Sequence, residues 1–147
     1  MSLIIKTIGG SSLKKIGMIN HIEIYVSDLF VSSKFWKWLL VGHLGYKTYQ
    51  KWEKGISYIK DSCSYIVFVQ ADKKKLALSY NRTRIGLNHL AFSIPDKSTL
   101  AQIKMELNAL NYRELYADRY PHAGGKDRYA LYFEDPDRIK VEIVVVE

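Results

Sequence analysis

Gly86-Leu87-Asn88-His89-Leu90-Ala91-Phe92-Ser93-Ile94 alternates with a period of two. One face carries Asn88, Leu90, Phe92 and Ile94, the other Leu87, His89, Ala91 and Ser93. A strand that buries one face and turns the other toward solvent or a cavity has this pattern. His89 falls on the less apolar face, between small residues that leave room beside it. Upstream, Asn20-His21-Ile22-Glu23-Ile24-Tyr25-Val26-Ser27-Asp28 aligns without a gap on Asn88-His89-Leu90-Ala91-Phe92-Ser93-Ile94-Pro95-Asp96. Asn, His and Asp are identical, and the apolar positions between them match in kind. An internal repeat of this sort fixes architecture more firmly than propensity does. It places His21 and His89 at equivalent positions on equivalent strands.

Working outward, each repeat strand leads into a helix. Strand 18–26 is followed by Ser27 or Asp28 as a cap and a helix over 29–42, with Phe35, Trp36, Leu39 and Leu40 at helical spacing. Strands are expected at 46–53, 56–60 and 64–70. Residues 71–84 are polar and basic, a connector between halves. The second half repeats the order: strand 87–94, helix 97–110 with the stripe Leu100, Ile103, Leu107 and Leu110, then strands near 112–117, 128–134 and 139–146. The fold class is therefore α+β, two tandem βαβββ modules (about 18–71 and 86–146) in a single domain spanning 18–147. Residues 1–17 fit neither repeat and read as an N-terminal arm, with Gly9-Gly10-Ser11-Ser12 as a joint. Between Asp118 and Asp127 lies a loop rich in Tyr, Pro, His and Gly, long enough to act as a flap over a site. Tyr120, His122 and Lys126 in it are candidate substrate contacts. Glu134-Asp135-Pro136-Asp137-Arg138 reads as a structural turn.

Composition narrows the classes. The chain has 147 residues, 48% apolar and 25% charged, as a single globular domain does. No apolar run approaches the length that spans a bilayer, and Leu3-Ile4-Ile5 is too short for a signal-peptide core, so no membrane association and a cytoplasmic location are expected. Cys63 is the only cysteine, which leaves no intrachain disulfide and no cysteine metal cluster. The net charge of +7 comes from scattered lysines and arginines without a nucleic-acid-binding motif. It favours small anionic partners by long-range steering.

In the last strand Val141, Ile143 and Val145 alternate with Lys140, Glu142 and Val144. A carboxylate in so apolar a strand must face solvent or meet a cationic partner. His21, His89 and Glu142 are thus three candidate ligands projecting from strands. Imidazole nitrogens with one carboxylate suit a divalent first-row ion (Mn, Fe, Ni, Zn or Co) and leave coordination positions open. A lone strand histidine is more often a hydrogen-bonded structural residue, but two at equivalent repeat positions shift that balance. His43, at a helix end, is expected on the surface.

The paired βαβββ modules, the Asn-His strand starts and Tyr132-Phe133-Glu134-Asp135-Pro136-Asp137-Arg138-Ile139-Lys140-Val141-Glu142 resemble the vicinal oxygen chelate superfamily, which includes glyoxalases, bleomycin-resistance proteins and extradiol dioxygenases. The resemblance covers residues 18–146. It implies half-barrels curled around a cleft, with a divalent metal held by His21, His89 and Glu142. Tyr132 matches a position that holds a cleft-facing tyrosine in several members, so Glu142 and Tyr132 are the implied catalytic pair. The implied protein is a homodimeric lyase, isomerase or dioxygenase acting on a small vicinal-oxygen substrate. Its alternative is a metal-free protein that sequesters a drug or metabolite. Three departures stand out. The stretch 65–70 offers only Gln70 where glyoxalase I has a fourth acidic ligand. The chain given ends five residues after Glu142, without the further basic residues of fosfomycin-resistance enzymes. Arg138 occupies the usual turn glycine.

Overall fold

The computed structural model describes residues 16–146; most of the expected 1–17 arm lies outside them. The first module consists of β1 (His21–Val26), α1 (Leu29–Trp36), β2 (Lys47–Trp52), β3 (Gly55–Lys60) and β4 (Ser64–Gln70). The second repeats that order as β5 (His89–Ile94), α2 (Lys97–Ala109), β6 (Glu114–Leu115), β7 (Ala130–Glu134) and β8 (Lys140–Val145). The result is two open four-stranded mixed sheets, ordered β1-β4-β3-β2 and β5-β8-β7-β6; neither closes into a barrel. No helix among the described residues is long and apolar enough to cross a membrane.

The repeat reappears in three dimensions. β1 runs parallel to β4, and β5 runs parallel to β8. Asp28 and Asp96 each cap the helix that follows, their carboxylates accepting from Val31 N and Thr99 N. Such a cap satisfies a helix-end amide that would otherwise lack a partner.

Two elements depart from the periodic reading. The first helix ends at Trp36 and continues as a π-helical stretch, Lys37–Val41. Trp36, Leu39 and Leu40, spaced i, i+3 and i+4, are nevertheless all buried. The strand expected at 112–117 shrinks to Glu114–Leu115, because Tyr116 takes a left-handed backbone (φ 58°) and opens a short 3-10 turn at Ala117–Arg119.

One apolar core serves both modules. Ile24, Val26, Tyr58 and Phe68 of the first sheet join Leu90, Leu131, Phe133 and Ile143 of the second, together with both helices. Trp36 stacks on Phe68 with ring centres 4.7 Å apart, and Phe35 meets Phe133 at 6.0 Å. The 134–138 turn ties the modules further. Asp135 accepts from the Trp36 indole, and Asp137 accepts from Ser27 N and its hydroxyl. This packing has a consequence for the site. The modules meet through their helix-side faces, so the opposite face of each sheet, which bears His21 or His89, is turned away from the shared core.

Candidate functional site

Strand register decides which side chains share that outer face. Ala91, Glu142 and Tyr132 are paired across β5, β8 and β7, and in the adjacent row so are His89, Lys140 and Glu134. Side chains directly opposite point the same way, and so do those two residues apart along a strand. His89, Glu142 and Tyr132 therefore lie on one face.

Glu142 is the centre of this group and is 2% exposed. A carboxylate so far out of water needs partners, and it has three. Arg128 Nε donates to Oε1 at 2.7 Å, the Tyr132 hydroxyl donates to the same oxygen at 3.0 Å, and His89 Nε2 lies 3.1 Å from Oε2. Burial, then the hydrogen bond to Glu142 and its charge, raises the Tyr132 phenol above its ordinary range. Tyr132 thus keeps its proton and acts as a donor. The Arg128 guanidinium is held above its ordinary range by the hydrogen bond to Glu142. On the ring's other side, His89 Nδ1 pairs with Asn88 Oδ1 at 2.8 Å. An amide oxygen accepts only from N–H, so this bond puts a proton on Nδ1 and fixes the ring with Nε2 on the Glu142 side. His21 has the same device, with Nδ1 2.8 Å from Asn20 Oδ1. The Asn-His repeat is therefore a means of orienting two imidazoles. The exposed ring of His21 stacks on Tyr65, centres 4.7 Å apart and 9° from parallel.

The donor chemistry fits a divalent ion in part. Two ligands each about 2.1 Å from one ion lie roughly 3.0–3.4 Å apart, and His89 Nε2 and Glu142 Oε2 stand at 3.1 Å. His21 does not join them within the chain. Among the described residues no three His, Cys, Asp or Glu side chains gather to hold a metal.

The flap residues take separate places. His122 Nδ1 donates to the Arg128 carbonyl at 3.0 Å, and its ring meets Tyr129 edge-on. This braces the turn that carries Arg128. Tyr120 packs on the helix side against the main core, with Lys104 of α2 over its ring, and burial pushes its phenol up to about 12. It stands apart from the Glu142 group. Lys126 is exposed. Gly124 lies against the site, since a Cβ there would be 2.5 Å from the Tyr132 hydroxyl oxygen. His43, expected on the surface, is instead tucked in, its Nε2 2.8 Å from Glu106 Oε2, which also accepts from Trp38.

Register also answers the question of a fourth acid. Glu23 pairs with Val67 as Ala91 pairs with Glu142, so the first module has valine at the position of Glu142. Gln70 is a structural clamp that accepts from Leu29 N and donates to the Ser27 carbonyl. The acid on that face is Glu23, exposed and two residues beyond His21. Glu23 and Arg128 are the residues sequence reasoning passed over. Glu23 was legible, since it shares the parity of His21. Arg128 sits ahead of its strand and meets Glu142 only through the fold.

The pattern describing the Glyoxalase/Bleomycin resistance protein/Dioxygenase superfamily matches residues 18–143. The chain is 54% identical over 125 residues to YqjT of Bacillus subtilis (strain 168), covering 85% of this chain and 96% of that protein. A solved glyoxalase-like protein of Bacillus halodurans superposes with a TM-score of 0.87 at 43% identity, over 90% of this chain and 98% of the other. The fosfomycin resistance protein FosX of Listeria monocytogenes shares the fold, with a TM-score of 0.64 at 18% identity over 90% and 95% of the two chains. With its doubled βαβββ order and its two open mixed sheets, the chain belongs to the glyoxalase/bleomycin resistance protein/dioxygenase superfamily.

Proposed function

We propose that the protein is a metal-dependent enzyme of this superfamily, acting as a homodimer on a small, oxygen-rich, anionic substrate by lyase, isomerase or dioxygenase chemistry. The observation that carries this reading is the oriented pair His89–Glu142, its imidazole fixed by Asn88, together with the identical Asn20–His21 device on the first module. His89 and Glu142 of one protomer and His21 of its partner would hold the ion. The exposed outer face of β1 and the open edges of β1 and β5 support completion of the site by a second copy. When bound, the ion supplies Lewis acidity to a pair of vicinal substrate oxygens.

The chain's own residues supply the rest. Glu142 contributes a carboxylate already desolvated, whose charge acts strongly at short range. The protonated Tyr132 hydroxyl donates to Glu142 Oε1 in the free site and can turn its proton toward a substrate oxygen as charge develops there. Arg128, about half exposed, balances Glu142 while the site is empty and can swing out to meet an anionic substrate.

A second reading, a metal-free cleft that sequesters a drug or metabolite, draws support from the same Arg128–Glu142 contact at 2.7 Å, which neutralises the carboxylate without an ion. Elemental analysis of protein purified without chelator separates the two. The enzyme reading expects bound Mn, Fe, Ni, Zn or Co, lost in His89→Ala and weakened in Glu142→Gln while both variants stay folded. Uptake should also fall as pH is lowered, since protons compete for the imidazole nitrogen. A wild-type protein that takes up none of these ions at micromolar concentration overturns it in favour of sequestration.

A further inference from the structure

The connector between the modules forms a second feature on the face that carries Glu142. Glu134 is 3% exposed and lies in the same row as Lys140 and His89. Three guanidiniums surround it. Arg82 Nη1 from the connector is hydrogen-bonded to its Oε1, while Arg113 Nη1 and Arg138 Nε each stand 3.6 Å from Oε2. One arginine would balance one carboxylate. The other two are about two-thirds exposed, and Lys140 adds a further cation to the row. The nearest other acids are already engaged: Asp135 accepts from Trp36, Asp137 N and Ile139 N, and Asp137 is held by Ser27.

Of these cations Arg82 and Arg138 line a cavity of about 220 Å³, together with Tyr80, Asn81 and Thr83. The lining is built rather than loose. Thr83 N and its hydroxyl donate to Asn81 Oδ1 at 2.9 and 2.8 Å, and the Tyr80 hydroxyl donates to the Leu87 carbonyl at 2.6 Å. Asn88 joins the cavity to the metal-ligand candidate. Its Oδ1 accepts from His89 Nδ1, and its Nδ2 donates to the Arg82 carbonyl at 3.1 Å.

We propose that this pocket is an oxyanion subsite, in which Arg82 and Arg138 bind a phosphate or carboxylate group of the substrate whose other end reaches His89 and Glu142. Two strand spacings separate the His89 and Glu134 positions, about 10 Å, so one small molecule can span both. Guanidiniums with free N–H groups pair such oxyanions in bidentate fashion. The inference deepens the proposed function and rests on it for the second contact, and its test is independent of metal.

The test titrates chelator-treated, full-length protein with inorganic phosphate and separately with acetate, at constant ionic strength set by chloride, reading backbone amide shifts by NMR. Arg138→Gly is the variant of choice. Arg138 has a left-handed backbone (φ 67°) that glycine adopts without strain, so loss of charge is not confounded by loss of fold. Saturable shifts at residues 80–83 and 138 with one or both oxyanions, weakened about tenfold in Arg138→Gly, are expected; which oxyanion binds more tightly names the substrate's group. No saturable shift with either, or equal binding by the variant, overturns the subsite. Metal uptake by the same two proteins keeps the outcomes separate. Oxyanion binding without metal uptake retains the pocket and removes the metal site, and the reverse result removes only the pocket.

Discussion

Glu142 and Arg128 set the chemistry of the free site, and their contact at 2.7 Å makes two demands on a variant. Arg128→Gln removes a positive charge beside the proposed metal position, so metal affinity should rise about fivefold, the effect of roughly 1 kcal/mol of relieved repulsion. The metal-free variant should at the same time unfold at a lower temperature, because Glu142 stays buried with a weaker partner. Calorimetry with and without metal reads both. Asp135 makes a different demand. Burial pushes its carboxyl from an ordinary 3.8 up to about 7, against the opposing pull of donors from Ile139, Trp36 and Asp137. The folded state therefore binds this proton more tightly than the unfolded state does. The resulting stabilisation is full below the ordinary carboxylate range and is lost as pH rises through about 7. Asp135→Asn should be less stable than wild type at low pH, because its amide cannot accept from the Trp36 indole while keeping both backbone bonds. That deficit should narrow by about 2–3 kcal/mol between pH ~5 and ~8. Unfolding midpoints of the two proteins across that range check the sign.

At the scale of elements, the flap and the paired strands show what a linear reading can reach. Strands β1 and β5, a cap at Ser27 or Asp28 and the outward face of His89 were all legible, because alternation and the Asn-His repeat are local in sequence. The Val67–Glu23 and Glu142–Ala91 pairings were not. They depend on how β4 and β8 register against strands far away in the chain, and a one-residue slip would exchange the two faces. The same holds for Arg82, whose partner Glu134 is 52 positions away, and for Tyr120, which the flap turns toward α2. Within the flap, Gly124 lies against the site. A methyl group there would lie 2.5 Å from the Tyr132 hydroxyl oxygen and 2.9 Å from Arg128 Cδ, so both side chains must shift. Gly124→Ala should therefore displace the hydroxyl from Glu142, change metal affinity severalfold and lower the melting temperature by only a few degrees, since Arg128 still pairs with the carboxylate. A large fall in melting temperature with unchanged affinity would place Gly124 in the fold's support instead.

For the whole molecule, the shared core explains why one chain presents half of the proposed site on each of two outer faces. Phe35, Trp36 and Trp38 pack both modules against the helices, which turns the His21 face away from the His89 face. The central claim is that His21 of one protomer completes the site of His89 and Glu142 on the other, and subunit exchange tests it most directly. His21→Ala and Glu142→Gln, purified separately, should each hold little metal. Mixed so that protomers exchange, the heterodimer regains one intact site, with His21 from the Glu142→Gln chain and His89 with Glu142 from the His21→Ala chain. The prediction is one ion recovered per mixed dimer by elemental analysis. No recovery on mixing, or a His21→Ala protein that fills with metal as completely as wild type, would contradict it.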